Sequence, residues 1–290
     1  MPAMRILITG AGGMLGHDVQ SAVRSAGHEP IALTRADCDL GDAASTRDAV
    51  RAASPDAVIN CAAWTNVDGA ETHEDEALAA NGTGPGVLAA AAAEAGAWTV
   101  HVSTDYVFDG AKRSPYLESD PVAPLSAYGR TKLSGERAIA AAAPDTHTIV
   151  RTSWLFGVHG KSFPATMLRL AGERDELTVV DDQIGSPTFT GHLAPALVAL
   201  AAGSIPGILH VAAAGVCSWC EFARAIVAAS GQAASTSVRG ITTAEFPTPA
   251  PRPAYSVLRS QRGAPELRDW REGLGDYLAA RDGAATVAGR

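Results

Sequence analysis

The stretch ILITGAGGMLG, residues 6–16, decides the fold. Ile6, Leu7 and Ile8 form a short apolar run that stops at Gly10, and a helix-forming segment begins at Met14. Gly10, Gly13 and Gly16 stand at GxxGxxG spacing, with Gly12 in addition. Glycine tolerates positive φ and lets a phosphate approach the backbone, while the first turn of the following helix offers unpaired N–H groups and a positive dipole end. A dinucleotide pyrophosphate suits that arrangement, held by Gly10, Gly12, Gly13, Met14, Leu15 and Gly16. An ordinary tight turn would account for the glycines taken alone. Their place after a strand at the start of the chain favours the phosphate cradle.

Outward from this loop, RILITG (5–10), EPIALT (29–34), DAVINCAA (56–63), TVHVST (99–104) and HTIVRTSW (147–154) read as strands separated by Ala-rich segments of helical length. Strands buried on both faces form a parallel sheet with helices on either side. The expected fold is therefore α/β, a Rossmann-type doubly wound parallel sheet with a smaller C-terminal substrate-binding lobe. Residues 1–154 make the dinucleotide-binding domain and residues 155–290 mainly the lobe, GILHVAAAG (207–215) included. A helix near 190–202 is expected to return to the main sheet.

Composition narrows the function. The 290 residues are 47% hydrophobic with a net charge of −8, and no apolar run reaches the roughly 18 residues that span a bilayer. A cytoplasmic protein without membrane association is expected. The acidic balance and the lack of a Lys/Arg cluster argue against nucleic acid. Cys38, Cys61, Cys217 and Cys220 are too few for a disulfide framework. Cys217 and Cys220 form a lone CxxC, but Ser218 followed by Glu221 reads as a capping box opening a helix, so no metal site is expected.

Lysine is rare here: Lys112, Lys132 and Lys161 are the only three among 23 basic residues. One of them follows Tyr128 at i+4 in YGRTK, and a helix over 129–143 would put both on one face. An ammonium beside a phenol stabilises the phenolate, which turns tyrosine into a usable acid or base near neutrality. YxxxK alone is common surface decoration. Its company is not: HVSTDYVFDG (101–110) ends a strand with Ser103, Thr104 and Asp105, hydroxyls and a carboxylate at the edge that faces a cofactor crevice. Thr104 is placed to bond a substrate oxygen while Tyr128 shares its proton. After the second strand, Arg35 suits a 2′-phosphate and Asp39 with Leu40 suits the adenine border, so NADPH is favoured and NADH remains open. A solvated surface charge is the competing reading of Arg35.

GxxGxxG, NCAA (60–63), Asn81, STDYVFDG and YxxxK together resemble the extended short-chain dehydrogenase/reductases. The stretches PDAVINCAAWTNVDGAE, PYLESDPVAPLSAYGRTKLSGE, RTSWLFGVHGKSF, VVDDQIGSPTF, CSWCEFA and RPAYSVL extend the likeness to the dTDP-4-dehydrorhamnose reductase family, to about residue 280. The resemblance implies reduction of the C4 ketone of dTDP-4-dehydro-L-rhamnose, with Thr104, Tyr128 and Lys132 catalytic. It implies Ala62, Ala63 and Thr65 beside the cofactor, together with Tyr128 and Lys132. It further implies Thr104, Asp105, Tyr106 and Trp154 against the nucleotide sugar. From its apolar neighbours Leu155 and Phe156 alone, Trp154 reads more readily as core than as a platform for thymine. Some members hold magnesium through acidic groups at a dimer contact, but SPTFTGHLAPAL (186–197) has no carboxylate, so a monomer or weak homodimer is expected. A ketoreductase for another dTDP-deoxysugar, or a non-catalytic dinucleotide-binding regulatory subunit, would share the fold.

Overall fold

Ile6, Leu7 and Ile8 are wholly buried in β1 (Arg5–Thr9), and the strands beside it are as apolar, which is why they pack as the middle layer of a sandwich. The computed structural model describes residues 2–231 and 236–288. After β1 come α1 (Met14–Ser25), β2 (Glu29–Leu33), α2 (Ala43–Ala53), β3 (Ala57–Asn60), α3 (Val67–Ala70) and α4 (Glu74–Leu78). A π-helical turn (Ala79–Thr83) leads into α5 (Gly84–Glu94), followed by β4 (Trp98–Thr104), α6 (Ala127–Ala142) and β5 (His147–Thr152). The second half holds β6 (Leu155–Phe156), α7 (Phe163–Ala171), β7 (Glu176–Val180), β8 (Ile184–Gly185), β9 (Thr188–Phe189), α8 (Thr190–Gly203) and β10 (Gly207–His210). It closes with β11 (Ala213–Ala214), β12 (Cys217–Ser218), α9 (Trp219–Ala229), β13 (Ser237–Ile241), β14 (Leu267–Asp269) and α10 (Trp270–Ala288).

The six-stranded sheet runs β10-β5-β4-β3-β1-β2, parallel throughout. Chain direction across the sheet reverses between β1 and β3, and the crevice outside that switch point is where such sheets hold ligands. Helix α8 returns to cover β1 and α1, and its Leu193, Leu197 and Leu200 are buried with Ile6, Ile8 and Val19. One placement differs from expectation. Gly207–His210, expected in the smaller lobe, is the sixth strand of the main sheet, because Ile208 and Leu209 register against Ile149 and Val150 of β5.

The second lobe has its own core, in which Phe156, Met167, Phe222, Ile226, Trp270 and Leu274 are buried. Cys217 and Cys220 belong to it as free, buried thiols, and Ser218 and Glu221 form the capping box that starts α9. The Pro-rich stretch between β13 and β14 is a strap joining the two halves. Its backbone bonds Ile184 through Ala254 and Ser256, and Tyr116 through Val257 and Arg259. Arg252 grips Asp68 at 3.0 Å. Among the described residues no helix is long and apolar enough to cross a membrane.

Candidate active site

The loop after β1 is a cradle by construction. Gly10 adopts φ +66°, and a Cβ there would collide with the backbone of Cys61 and Ala62. A Cβ on Gly16 would strike the Gly10 carbonyl. Glycine is therefore required for the loop to lie against the β3 edge and for α1 to start close beneath it. Gly12 and Gly13 are exposed, α1 has no side-chain cap, and its first turn carries no acidic residue. Unpaired N–H groups with a positive helix end and no resident anion fit a pyrophosphate. Leu15 and Leu40 are buried in the core, so their side chains are committed to packing. Arg35 and Asp39 pair with each other at 3.3 Å, and the arginine side chain is 84% exposed. Its guanidinium is open to a solvent-side phosphate beyond that pair, while Asp39 also accepts from Gly41 N–H at 2.9 Å.

Ala62 packs on Gly10, and Ala62 N–H bonds Asn60 Oδ1 at 3.0 Å. The same loop is fixed from the other side by Asn81, which sits in the π-helical turn. Its amide accepts from Trp64 N–H (2.8 Å), donates to Trp64 C=O (3.1 Å) and donates to Thr131 on α6 (3.3 Å). Ala63 is half-buried and Thr65 exposed along this wall.

Thr104 ends β4 and caps the short 3₁₀ turn Asp105–Val107, accepting from Tyr106 N–H at 3.2 Å. Its hydroxyl donates to Asp105 Oδ1 at 3.0 Å and faces the phenol of Tyr128. Helix α6 brings Tyr128 there. Ser126 caps the helix through Gly129 N–H, Glu71 accepts from Ala127 N–H (2.8 Å), and Arg130 clasps Glu74 with two bonds of 3.0 and 2.9 Å. Tyr106 packs edge-on to Tyr128 with ring centroids 5.6 Å apart. Burial pushes the Tyr128 hydroxyl up to about 12, the Thr104 hydroxyl draws it back, and Asp105 adds to the rise. The phenol is thus firmly protonated at neutral pH, the state a proton donor needs.

Lys132 departs from expectation. Its Nζ does not serve the phenol in this state. It donates to Val102 C=O at 2.7 Å and lies 3.1 Å from His101 Nε2. The physical reason is burial: an amine 2% exposed cannot leave its polar groups unpaired, and β4 supplies the Val102 carbonyl as an acceptor with the His101 ring beside it. Burial lowers Lys132 to about 8, against the pull of Glu136 and Cys61.

Asp105 is buried, and burial pushes its carboxyl up to about 6 even though Ser256 and Thr104 hydroxyls pull it down. Its Oδ2 and Ser256 Oγ both lack a hydrogen-bond partner of good geometry. Trp154 follows β5 with φ +47°. It is neither plain core nor a free platform, because Trp219 stacks on it at 3.6 Å and 6° and Gly185 lies against it. One indole face is thus covered by Trp219, and Trp154 is half-buried. Sequence reasoning missed Trp219, His101, Ser256 and Arg252. Trp219 stood in the CxxC stretch as a helix-start residue, and nothing in its spacing pointed to Trp154.

A parallel sheet with its switch point at a glycine cradle, and a Thr104/Tyr128 pair with Lys132 one turn on, define a Rossmann-type fold of the extended short-chain dehydrogenase/reductase class. Residues 4–282 match the family described as RmlD substrate binding domain. The chain belongs to that family. It is 49% identical to a dTDP-4-dehydrorhamnose reductase of Mycolicibacterium smegmatis, over 98% of this chain and 88% of the relative. A dTDP-4-dehydrorhamnose reductase of Clostridium acetobutylicum superposes with a TM-score of 0.91 at 42% identity, covering 96% of this chain and 99% of that one. A third, from Bacillus anthracis and in complex with NADP, gives 0.92 at 35% identity with the same coverage.

Proposed function

We propose that this chain reduces the C4 ketone of dTDP-4-dehydro-L-rhamnose to dTDP-L-rhamnose with NADPH, NADH being the weaker alternative. The observation that carries the reading is the meeting of Thr104 and protonated Tyr128 at the end of β4, on the sheet edge that carries the glycine cradle. The names of the relatives support the sugar, and the NADP complex of the Bacillus anthracis protein supports the cofactor. The division of labour proposed from the sequence goes with it, the main sheet holding the dinucleotide and the second lobe most of the sugar nucleotide.

The glycine cradle, Arg35 and the Ala62–Thr65 wall would hold the cofactor, with Lys132 and Tyr128 at its nicotinamide end. Bound there, the dihydronicotinamide supplies a hydride to the ketone carbon. Thr104 orients the carbonyl oxygen, and Tyr128 gives it the phenolic proton as the C4–O bond gains negative charge. Tyr128 is then reprotonated from solvent. Asp105, Tyr106 and Trp154 line the side where the nucleotide sugar enters. Four free thiols suit the reducing cytoplasm, where we place the protein as a monomer or weak homodimer. Light scattering behind a sizing column checks that state.

The test of the activity is stoichiometric. Given dTDP-4-dehydro-L-rhamnose and excess NADPH, the protein should consume one dihydronicotinamide per sugar reduced, followed by absorbance. Sugar converted at constant cofactor signal would mean isomerisation or elimination and would overturn the reading.

A further inference from the structure

A buried chain of polar groups runs beneath the candidate site from β1 to α6. Thr9 Oγ1 donates to Asn60 Oδ1 (2.6 Å), Asn60 Nδ2 meets His101 Nδ1 (2.9 Å), and His101 Nε2 meets Lys132 Nζ (3.1 Å). Thr9, Asn60, His101 and Lys132 are each at most 2% exposed, so every hydrogen in the chain must have a direction. The direction is set at one end by a group that cannot rotate. Ala62 N–H points at Asn60 Oδ1, which fixes that atom as oxygen and turns the NH₂ towards the histidine. His101 Nδ1 must then accept.

A neutral imidazole that accepts at Nδ1 carries its proton on Nε2. Burial, with Lys132 beside it, holds His101 well below the usual histidine range, so the neutral ring is the resident form. Its Nε2–H therefore faces Lys132 Nζ. An ammonium there would set donor against donor, whereas a neutral amine accepts that hydrogen, donates one of its own to Val102 C=O, and keeps one for a ligand. The alternative arrangement, a cationic lysine on a ring protonated at Nδ1, requires Asn60 to flip and opposes two N–H groups at Ala62.

We infer that His101 is a positioning residue which, through an Nε2–H fixed by Asn60, eases the loss of the Lys132 proton in the unliganded protein. Lys132 is faced by Glu136 of its own helix, by Cys61 after β3 and by His101 of β4. Glu136 is engaged by Arg151 at 2.6 Å, and the Cys61 thiol is held up to about 12 by burial, so neither supplies a free anion to the amine. The consequence for turnover rests on the proposed cofactor role of Lys132. Binding that needs the ammonium must turn it away from the His101 Nε2–H, and above about pH 8 must also take a proton from solvent.

Nitrogen-15 NMR of the unliganded protein tests the inference directly. His101 should show a protonated Nε2 and an unprotonated Nδ1; a ring protonated at Nδ1 overturns the proposal. With only three lysines in the chain, the Lys132 amine can be assigned by its loss in Lys132→Arg. It should titrate near pH 8, on the order of 100-fold more acidic than an ordinary lysine. His101→Phe, close in size, should raise the midpoint, though burial still holds it below the ordinary value. An unchanged midpoint would remove His101 from the role. Should that variant not fold, Asn60→Asp offers the ring an acceptor in place of a donor and should move the ring proton to Nδ1; an unmoved proton equally overturns the proposal. None of these measurements uses the sugar. Their failure beside a working reductase would sink this inference alone, and their success without reductase activity would sink the proposed function alone.

Discussion

At Asp105 two opposed effects meet in one side chain. Burial raises the carboxyl to about 6 from the 3.8 of a free aspartate, and Oδ2 has no partner of good geometry to offset it. A raised carboxylate favours the fold most when protonated, so this contribution is fully present below about 3.8 and lost as pH rises through about 6. Asp105→Asn should thus stabilise the unliganded protein at pH 8, by on the order of 2–3 kcal/mol, and change little at pH 3.5. Urea unfolding at both pH values reads the difference; an equal effect at both would mean that the charge is not the cause. Stability sacrificed at such a position fits a group that waits for ligand donors. Tyr128 makes the complementary case. Tyr128→Phe should leave NADPH affinity within about twofold yet lower turnover by ~10²-fold or more, the scale for a positioned acid. Near-normal turnover would take the tyrosine out of the chemistry. Thr104, Tyr128 and Lys132 were legible because strand ends and i,i+4 spacing are local. The hold of His101 on Lys132 was not, since it is a lateral contact between β4 and α6 over 31 positions.

Among the elements, α6 carries the most. One face presents Tyr128 and Lys132, and further along Glu136 is locked to Arg151 of β5 by bonds of 2.6 and 2.9 Å while accepting from Ser103 at 2.5 Å. Both side chains are 3% exposed, so the pair joins helix and sheet one turn beyond Lys132. Its net worth against an apolar pair is small, but breaking one half is severe because the other charge stays buried. Glu136→Gln should lower stability by about 3–5 kcal/mol, seen as a fall in the urea midpoint at unchanged slope. A loss below about 1 kcal/mol would mean that Arg151 finds water or another partner. The helix itself was readable from YGRTKLSGERAIAAAA. Its start at Ala127 rather than Gly129 follows from Ser126, whose hydroxyl caps the first turn. The glycine loop was readable in the same way, because Gly10 and Gly16 are dictated by backbone collisions within a few residues and across to Ala62.

For the molecule as a whole, the sequence suggested a boundary at Trp154, and a chain cut there offers a sharp experiment. Residues 1–154 contain five strands of the main sheet, the cradle and all three catalytic candidates. They lack β10, which covers the β5 edge, and α8, which seals the face of β1 and α1. Leu193, Leu197, Val198, Leu200, Leu209 and Val211 are each at most 4% exposed against that sheet. At about 1.5–3 kcal/mol for each buried side chain, the loss of these six removes roughly 9–18 kcal/mol, and the apolar surface they cover would meet water. Whole domains are stable by only about 5–15 kcal/mol. The pattern of short apolar strands could not announce this, because the sixth strand and its covering helix arrive after some forty residues that belong to the other lobe. The truncated chain should accordingly lack the near-ultraviolet circular dichroism of packed aromatics and show no cooperative urea transition. A sharp transition in residues 1–154 would show that the sheet stands without α8 and β10, and that the two halves are separable domains.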